Sequence, residues 1–476
     1  MSRNTPGAAD PFAPNDAALT SLDTLCPGLG RGHDPNAGSE LRAASPAIDP
    51  LVAPLVLSTT FCRERPADEP QHAYSRVSNP TVSALEDALG RLEDAPPAVA
   101  FGSGLAAESA LFLSLLRGGD HVVCSRAVYG GTTRLLQQLL SKLGVESDFV
   151  DTTDVDAIRA ALRPATRLVF VETPANPTLE LTDIRAVAEI THAAGALLAV
   201  DNTFLTAVLQ RPLDLGADLT VTSTTKFVDG HSVALGGSVV SRDVTLLDRL
   251  RFVRKCTGGI LSPFGAWLTL NGLRTLPLRI RAQSATAERV ARWLTAQPAV
   301  ERVYYPGLGQ ATTDTGRDAH GSGPPASATR TDDTRLADAH RADGRLAEFQ
   351  HDGAHGAVVS FEVAGGGEAA RKLLAELRLA RFVEHVGSVE TLITHPASMT
   401  HADVPPADRE AVGIRDGLLR LSVGLEPAEA ITADLRDGLD ALSGTSETAE
   451  ANVESQHDGT HVAVAGDIAR GTETVS

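Results

Sequence analysis

Apolar residues fall into two alternating spacings along most of this chain. Short runs such as Val122-Val-Cys124, Leu168-Val-Phe-Val171 and Leu197-Leu-Ala-Val200 have the length and β-branched content of buried strands, and the stretches between them repeat apolar positions at helical spacing. The predicted order is strand at 121–125, helix at 132–143, strand at 145–150, helix at 154–162, strand at 167–171, helix at 182–195 and strand at 196–201. Such β-α alternation implies a mostly parallel sheet with helices on both faces. Before it, Leu85, Leu89 and Leu92 share one face of a helix that Asn79 can cap and Pro80 can begin. Ala98-Val-Ala-Phe101 then runs through Gly102-Ser-Gly104 into an apolar helix ending near Leu116. Downstream, a strand at 234–240 and helices at 261–275 and 279–297 lead into a smaller C-terminal unit with strands at 357–363 and 418–423.

Three stretches break this pattern, and they set the expected organisation. Residues 1–53 are rich in Ala, Pro, Asn, Asp and Gly and read as a partly disordered arm. Residues 309–352 are polar and low in apolar content, a surface insertion in a C-terminal domain of 279–442 that follows a large domain of 54–278. Residues 443–476 read as a solvated acidic tail. The Gly28-Leu-Gly30-Arg-Gly32 cluster has neither a strand before it nor a helix after it, so it is not a dinucleotide loop.

Composition narrows the partners. The formal charge is −18 over 476 residues, which argues against nucleic acid or an anionic membrane. With lysine nearly absent, this balance resembles that of proteins from salt-rich cytoplasm. No apolar run reaches the ~18 residues of a membrane span, and the first ten residues are polar, so a cytoplasmic protein is expected. Cys26, Cys62, Cys124 and Cys256 are scattered without a Cys-x-x-Cys pair. His351 and His355 stand four apart with Gly353 between them and no third ligand nearby, and no metal site is expected.

Only four lysines occur, Lys142, Lys226, Lys255 and Lys372. Three sit in helix-like surface segments. Lys226 instead follows a strand-like run and is preceded by Ser223-Thr-Thr225, with Gly230 close behind. Hydroxyls and turn amides around one lysine suit a bound phosphate, and a partly desolvated lysine suits Schiff-base formation. Read alone, Val221 to His231 also fits a strand-end turn carrying a surface lysine. A second stretch changes that balance. The run Ala196-Leu-Leu-Ala-Val-Asp201 delivers a carboxylate to the carboxyl edge of the sheet, where open α/β folds bind ligands. There it can pair with the protonated ring nitrogen that makes pyridoxal phosphate (PLP) an electron sink.

Together with Tyr74-Ser-Arg76, Ser103-Gly-Leu-Ala106, Tyr129-Gly-Gly-Thr132, Glu172-Thr-Pro-Ala-Asn-Pro177 and Arg420-Leu-Ser-Val-Gly-Leu-Glu426, these residues resemble the Cys/Met-metabolism family of PLP enzymes. The resemblance covers roughly 54–308 and 357–442. It implies an α/β, aspartate aminotransferase-like fold of type I, with a mostly parallel central sheet and a smaller C-terminal α/β domain. By the same resemblance Lys226 carries the cofactor, Asp201 faces its ring nitrogen, and Gly104, Leu105, Ser223 and Thr225 cradle its phosphate. Asn176 meets its phenolic oxygen, and Tyr129 stacks on the ring and acts as an acid or base. Tyr74 and Arg76 reach the phosphate of a neighbouring subunit, which implies a homodimeric active unit within a homotetramer. Arg420 holds the α-carboxylate of an amino-acid substrate, with Glu384 and His385 as specificity positions.

His385 departs from the family, whose members commonly carry serine there. Its imidazole either faces the pocket with a lowered pKa or, if the loop is shifted, points to solvent. The family motifs imply a cystathionine γ-synthase or γ-lyase, with methionine γ-lyase or O-acetylhomoserine sulfhydrylase as alternatives and a catalytically silent PLP-binding protein as the non-enzyme reading. Synthase and lyase share every step up to one unsaturated intermediate, so the motifs leave that branch open.

Overall fold

The computed structural model of the chain describes Leu22, Cys26, residues 51–63, Arg65, 70–310, 344–402, Val404 and 406–443. Most of the N-terminal arm with its glycine cluster, residues 311–343 of the insertion, and the tail from 444 lie outside the described residues.

The larger sheet has seven strands: β1 (Val99–Phe101), β2 (His121–Ser125), β3 (Glu146–Val150), β4 (Thr166–Glu172), β5 (Leu197–Asp201), β6 (Leu219–Thr222) and β7 (Gly237–Val240). Their spatial order is β1-β7-β6-β5-β4-β2-β3, and β7 alone runs against the rest. Alternation along the strands explains the two covered faces. Val122, Cys124, Leu168, Phe170 and Ala199 pack into one apolar cluster, while Val123, Val169, Val171, Leu198 and Val200 pack into another. Helices α1 (Pro80–Leu92) and α2 (Gly104–Leu115) come first. Asn79 caps α1, its Oδ1 accepting from Thr81 N at 2.9 Å, and Leu85, Leu89 and Leu92 are all buried. The helix predicted at 132–143 is less regular than its spacing implies: an α turn at Gly130–Arg134 opens into a π turn at Leu135–Leu139 and tightens to a 3₁₀ turn at Leu140–Leu143. That path buries Leu135, Leu136 and Leu140.

Helices α3 (Pro263–Leu273) and α4 (Leu276–Leu294) connect to a second sheet of β8 (Val300–Tyr304), β9 (Val358–Val363), β10 (Arg381–Phe382), β11 (Leu392–Thr394) and β12 (Leu418–Ser422). Its order is β10-β11-β12-β9-β8, antiparallel except for the β10/β11 pair.

The surface-insertion reading of 309–352 is corrected at its C-terminal end. Residues 344–350 are helical, Ala347 is fully buried, and buried Gln350 accepts from Ile184 N at 2.8 Å and donates to Thr182 O at 3.1 Å. The segment packs through an alanine and an amide bonded to backbone, so its composition hides its burial.

Candidate active site

The carboxyl ends of parallel strands gather the polar residues. Asp201 ends β5 and Glu172 ends β4, in register with each other. Glu172 organises two loops: Oε2 accepts from Tyr129 N at 2.7 Å and Oε1 accepts from Asn176 N at 3.1 Å. Thr203 ties Asp201 to the lysine turn, donating its N–H to Asp201 Oδ1 at 2.9 Å while its Oγ1 accepts from Ser223 N at 2.8 Å. Burial raises both Asp201 and Glu172 above the usual carboxylate range, and the two repel each other. Among the described residues no cation lies within ion-pair distance of Asp201.

Lys226 follows β6. Burial first, then Arg420, lowers its pKa to about 8. Its Nζ lies 3.4 Å from His385 Nδ1. Arg420, fully within the protein on β12, reaches across from the second sheet: Nη1 donates to Asn176 Oδ1 at 2.7 Å, and Nη2 to His385 O and Thr394 Oγ1, both at 3.1 Å. Burial lowers Arg420 to about 10, against the opposing pull of Glu172, Tyr129 and Glu384, and leaves it a cation at neutral pH. Its Nε is buried without a partner.

The phosphate side is built by close approach. Ser103 caps α2, its Oγ accepting from Ala106 N at 3.1 Å, and the first-turn amides of Gly104 and Leu105 stand at the positive end of the helix. A Cβ on Gly104 would lie 2.9 Å from the Ser223 Cβ, so only glycine lets the helix start and the lysine turn abut. Leu105 packs with the Tyr129 ring over Gly131.

The structure thus brings together Lys226, Asp201, Asn176, Tyr129, Gly104, Leu105, Ser223, Arg420 and His385. Glu384 is exposed at the rim, close enough to Arg420 to act on its charge. Thr225, expected on the phosphate, has its hydroxyl committed within the chain: Oγ1 donates to Gly236 O at 3.0 Å and accepts from Gly236 N at 2.9 Å, which fixes the turn against β7. Tyr74 and Arg76 are engaged with other groups. Arg76 Nη1 donates to Lys255 O at 2.8 Å, and its guanidinium lies 5.4 Å from the Tyr74 ring centre. Sequence reasoning missed Thr203 and the organising part of Glu172, although Glu172 ends an apolar strand run just as Asp201 does.

The residues present fit PLP. A buried carboxylate without a cation matches a protonated ring nitrogen, a buried amine of lowered pKa matches a carbonyl partner, and a glycine-lined helix start matches a phosphate. The sequence model of the Cys/Met metabolism PLP-dependent enzymes matches residues 38–316 and 339–440. The chain belongs to this family. The match starts before residue 54 and resumes at 339, so the family part of the chain is longer than the motifs alone indicate. Among its members, O-succinylhomoserine sulfhydrylase of Pseudomonas aeruginosa is 42% identical over 357 residues, covering 75% of this chain and 81% of that protein. Cystathionine gamma-lyase of Bacillus subtilis is 39% identical over 373 residues, covering 78% and 90%. The crystal structure of cystathionine gamma synthase from Xanthomonas oryzae pv. oryzae, in complex with aminoacrylate and cysteine, superposes with a TM-score of 0.77 at 38% identity and covers 89% of this chain and 99% of that one. The chain is therefore a PLP-dependent enzyme with the fold of this family.

Proposed function

We propose that the enzyme acts on amino acids bearing a leaving group on Cγ, homoserine esters or cystathionine, as a cystathionine γ-synthase or γ-lyase. The observation that carries this reading is the meeting of a buried amine, Lys226, with a buried guanidinium, Arg420, brought from the other sheet. When bound, PLP supplies the electron sink. The residues of the chain supply the rest. Asp201 holds the proton on the ring nitrogen, and the Gly104 and Leu105 amides with Ser223 hold the phosphate. Asn176, whose Oδ1 is taken by Arg420, has its amide N–H groups left to donate. Arg420 binds the α-carboxylate; its Nε, unpartnered among the described residues, is a ready donor. Lys226 Nζ, neutral above about pH 8, would take the proton from Cα, pass it on to the cofactor and, neutral again, take one from Cβ, which expels the γ-substituent. Tyr129 assists as acid or base. Addition of a thiol gives replacement; uptake of water with release of ammonia and a 2-oxo acid gives elimination.

A second reading, a homoserine-ester sulfhydrylase that takes sulfide as the thiol, is favoured by the 42% identity to O-succinylhomoserine sulfhydrylase. The working unit is a homodimer within a homotetramer, supported by exposed Leu57, Val233, Leu235 and Leu278. The setting is a cytoplasm rich in salt, supported by the charge of −18.

The test is a product assay on O-succinyl- and O-acetylhomoserine with cysteine, with sulfide and with neither, beside cystathionine and methionine. Cystathionine formed from an ester and cysteine, or cleaved to cysteine, 2-oxobutanoate and ammonia, is the expected result, and cleavage to homocysteine and pyruvate overturns it. Homocysteine from sulfide, without cystathionine chemistry, selects the second reading. Turnover of methionine alone overturns both.

A further inference from the structure

The backbone from His385 to Gly387 is fixed by three contacts. Gly387, at φ +86°, lies so close to the lysine turn that a Cβ there would meet Phe227 N at 2.5 Å and the Lys226 carbonyl carbon at 2.7 Å. Gly387 N donates to Ser422 Oγ at 2.8 Å, and Arg420 Nη2 donates to the His385 carbonyl at 3.1 Å. With the chain pinned there, the imidazole turns inward. Nδ1 stands 3.4 Å from Lys226 Nζ, and Nε2 is buried with no partner. The solvent-facing alternative is therefore not the one this loop adopts.

Below about pH 8 the Lys226 Nζ is an ammonium and only donates, so the facing Nδ1 is the acceptor and the imidazole proton lies on Nε2. The charged groups around the ring favour the neutral form. Lys226 approaches from the turn after β6 and Arg420 from β12, against Asp229 from the lysine turn, and Glu384 adjoins in the chain. Burial first, then the two cations, lowers the imidazole to about 4, with Asp229 opposing.

We propose that His385 is a positioning residue that holds the free Lys226 amine through its neutral Nδ1. It rests on Lys226 being the amine that takes the cofactor, but its test needs no turnover. Failure of the proposed reaction and failure of this contact are thus separate results.

The test uses the full chain freed of PLP, with ¹⁵N-labelled histidine and the His385 signal assigned by its absence in His385→Asn. Expected is the Nε2–H tautomer at neutral pH, with a midpoint well below that of an ordinary imidazole. In Lys226→Met, which keeps the stem and removes the amine, that midpoint rises by about half a pH unit or more. Recapture of PLP, followed by its visible band, should slow about tenfold in His385→Leu and stay within about threefold of the unaltered chain in His385→Asn, whose amide oxygen replaces the acceptor. A midpoint near ~6.5, a midpoint indifferent to Lys226→Met, or equal effects of the two His385 variants each overturns the proposal. If His385→Leu does not fold, the titration and the asparagine variant still decide.

Discussion

Glu108, Glu172 and Asp201 crowd one buried region, and each carboxyl is held above its ordinary range. For Glu108 the pKa reaches about 8, through burial first and the Asp201 charge second, against the hydrogen bond from Thr132 Oγ1 at 2.7 Å. The consequence for stability has a definite sign. The folded state keeps the Glu108 proton where the unfolded chain loses it, so this contribution is full below about pH 4.3 and drains away as the pH rises towards 8. Glu108→Gln has nothing to lose in that window. In the PLP-free chain it should gain roughly 1–3 kcal/mol on the unaltered protein between pH 5 and 8. Urea unfolding at stepped pH measures it, and parallel pH curves for the two proteins would contradict it. At this scale the sequence was readable where a charge ends an apolar run, as at Asp201. Glu108 gave no such signal, because a glutamate within a helix is ordinarily solvated.

The lysine turn is held by elements far from it in sequence. Arg279 on α4 is buried and donates Nη1 to Phe227 O at 3.0 Å, Nη2 to Val228 O at 3.3 Å and Nη2 to Gly272 O at 2.8 Å. Gly230 leaves the room for it, since a Cβ there would overlap the guanidinium. Arg279→Met should cost about 2–4 kcal/mol, because the buried Phe227 and Val228 carbonyls lose a donor and the Gly272 carbonyl keeps only those of Thr275. Arg279→Met and Gly230→Ala should both lower PLP affinity, by about tenfold or more. Fluorescence titration of the PLP-free variants with PLP tests this, and unchanged affinity in both would show that the turn needs no clamp. No local pattern announces Arg279 as the clamp, since its acceptors in the lysine turn, the Phe227 and Val228 carbonyls, lie about fifty residues away and are backbone atoms. The alternating strands and helices were legible because burial on both sheet faces imposes period two and period 3.6 directly on the side chains. The 344–350 helix was not, because it packs by Ala347 and Gln350 rather than by large apolar groups.

Across the whole molecule, two features point outward from a single copy. Tyr74 and Arg76 carry cationic and phenolic groups that the chain does not direct at its own lysine, and Arg76 is anchored on the Lys255 carbonyl. If these side chains serve a neighbour, a mixture of Arg76→Ala and Lys226→Ala proteins should recover up to about a quarter of the unaltered activity. Random pairing makes half of the dimers hybrid, and each hybrid holds one intact site of two. Subunit exchange is checked by mass, and no recovery despite exchange would mean that each chain completes its own site. The other feature is the formal charge of −18, whose self-repulsion depends on ionic strength.

The central claim is that Lys226, alone of four lysines, carries the cofactor. Borohydride reduction of the yellow protein followed by peptide mass mapping tests it most directly. The reduced pyridoxyl phosphate mass is expected on the peptide containing Lys226, with loss of both the visible band and the adduct in Lys226→Ala. An adduct on Lys142, Lys255 or Lys372 in place of Lys226, or an unchanged band in Lys226→Ala, would contradict it.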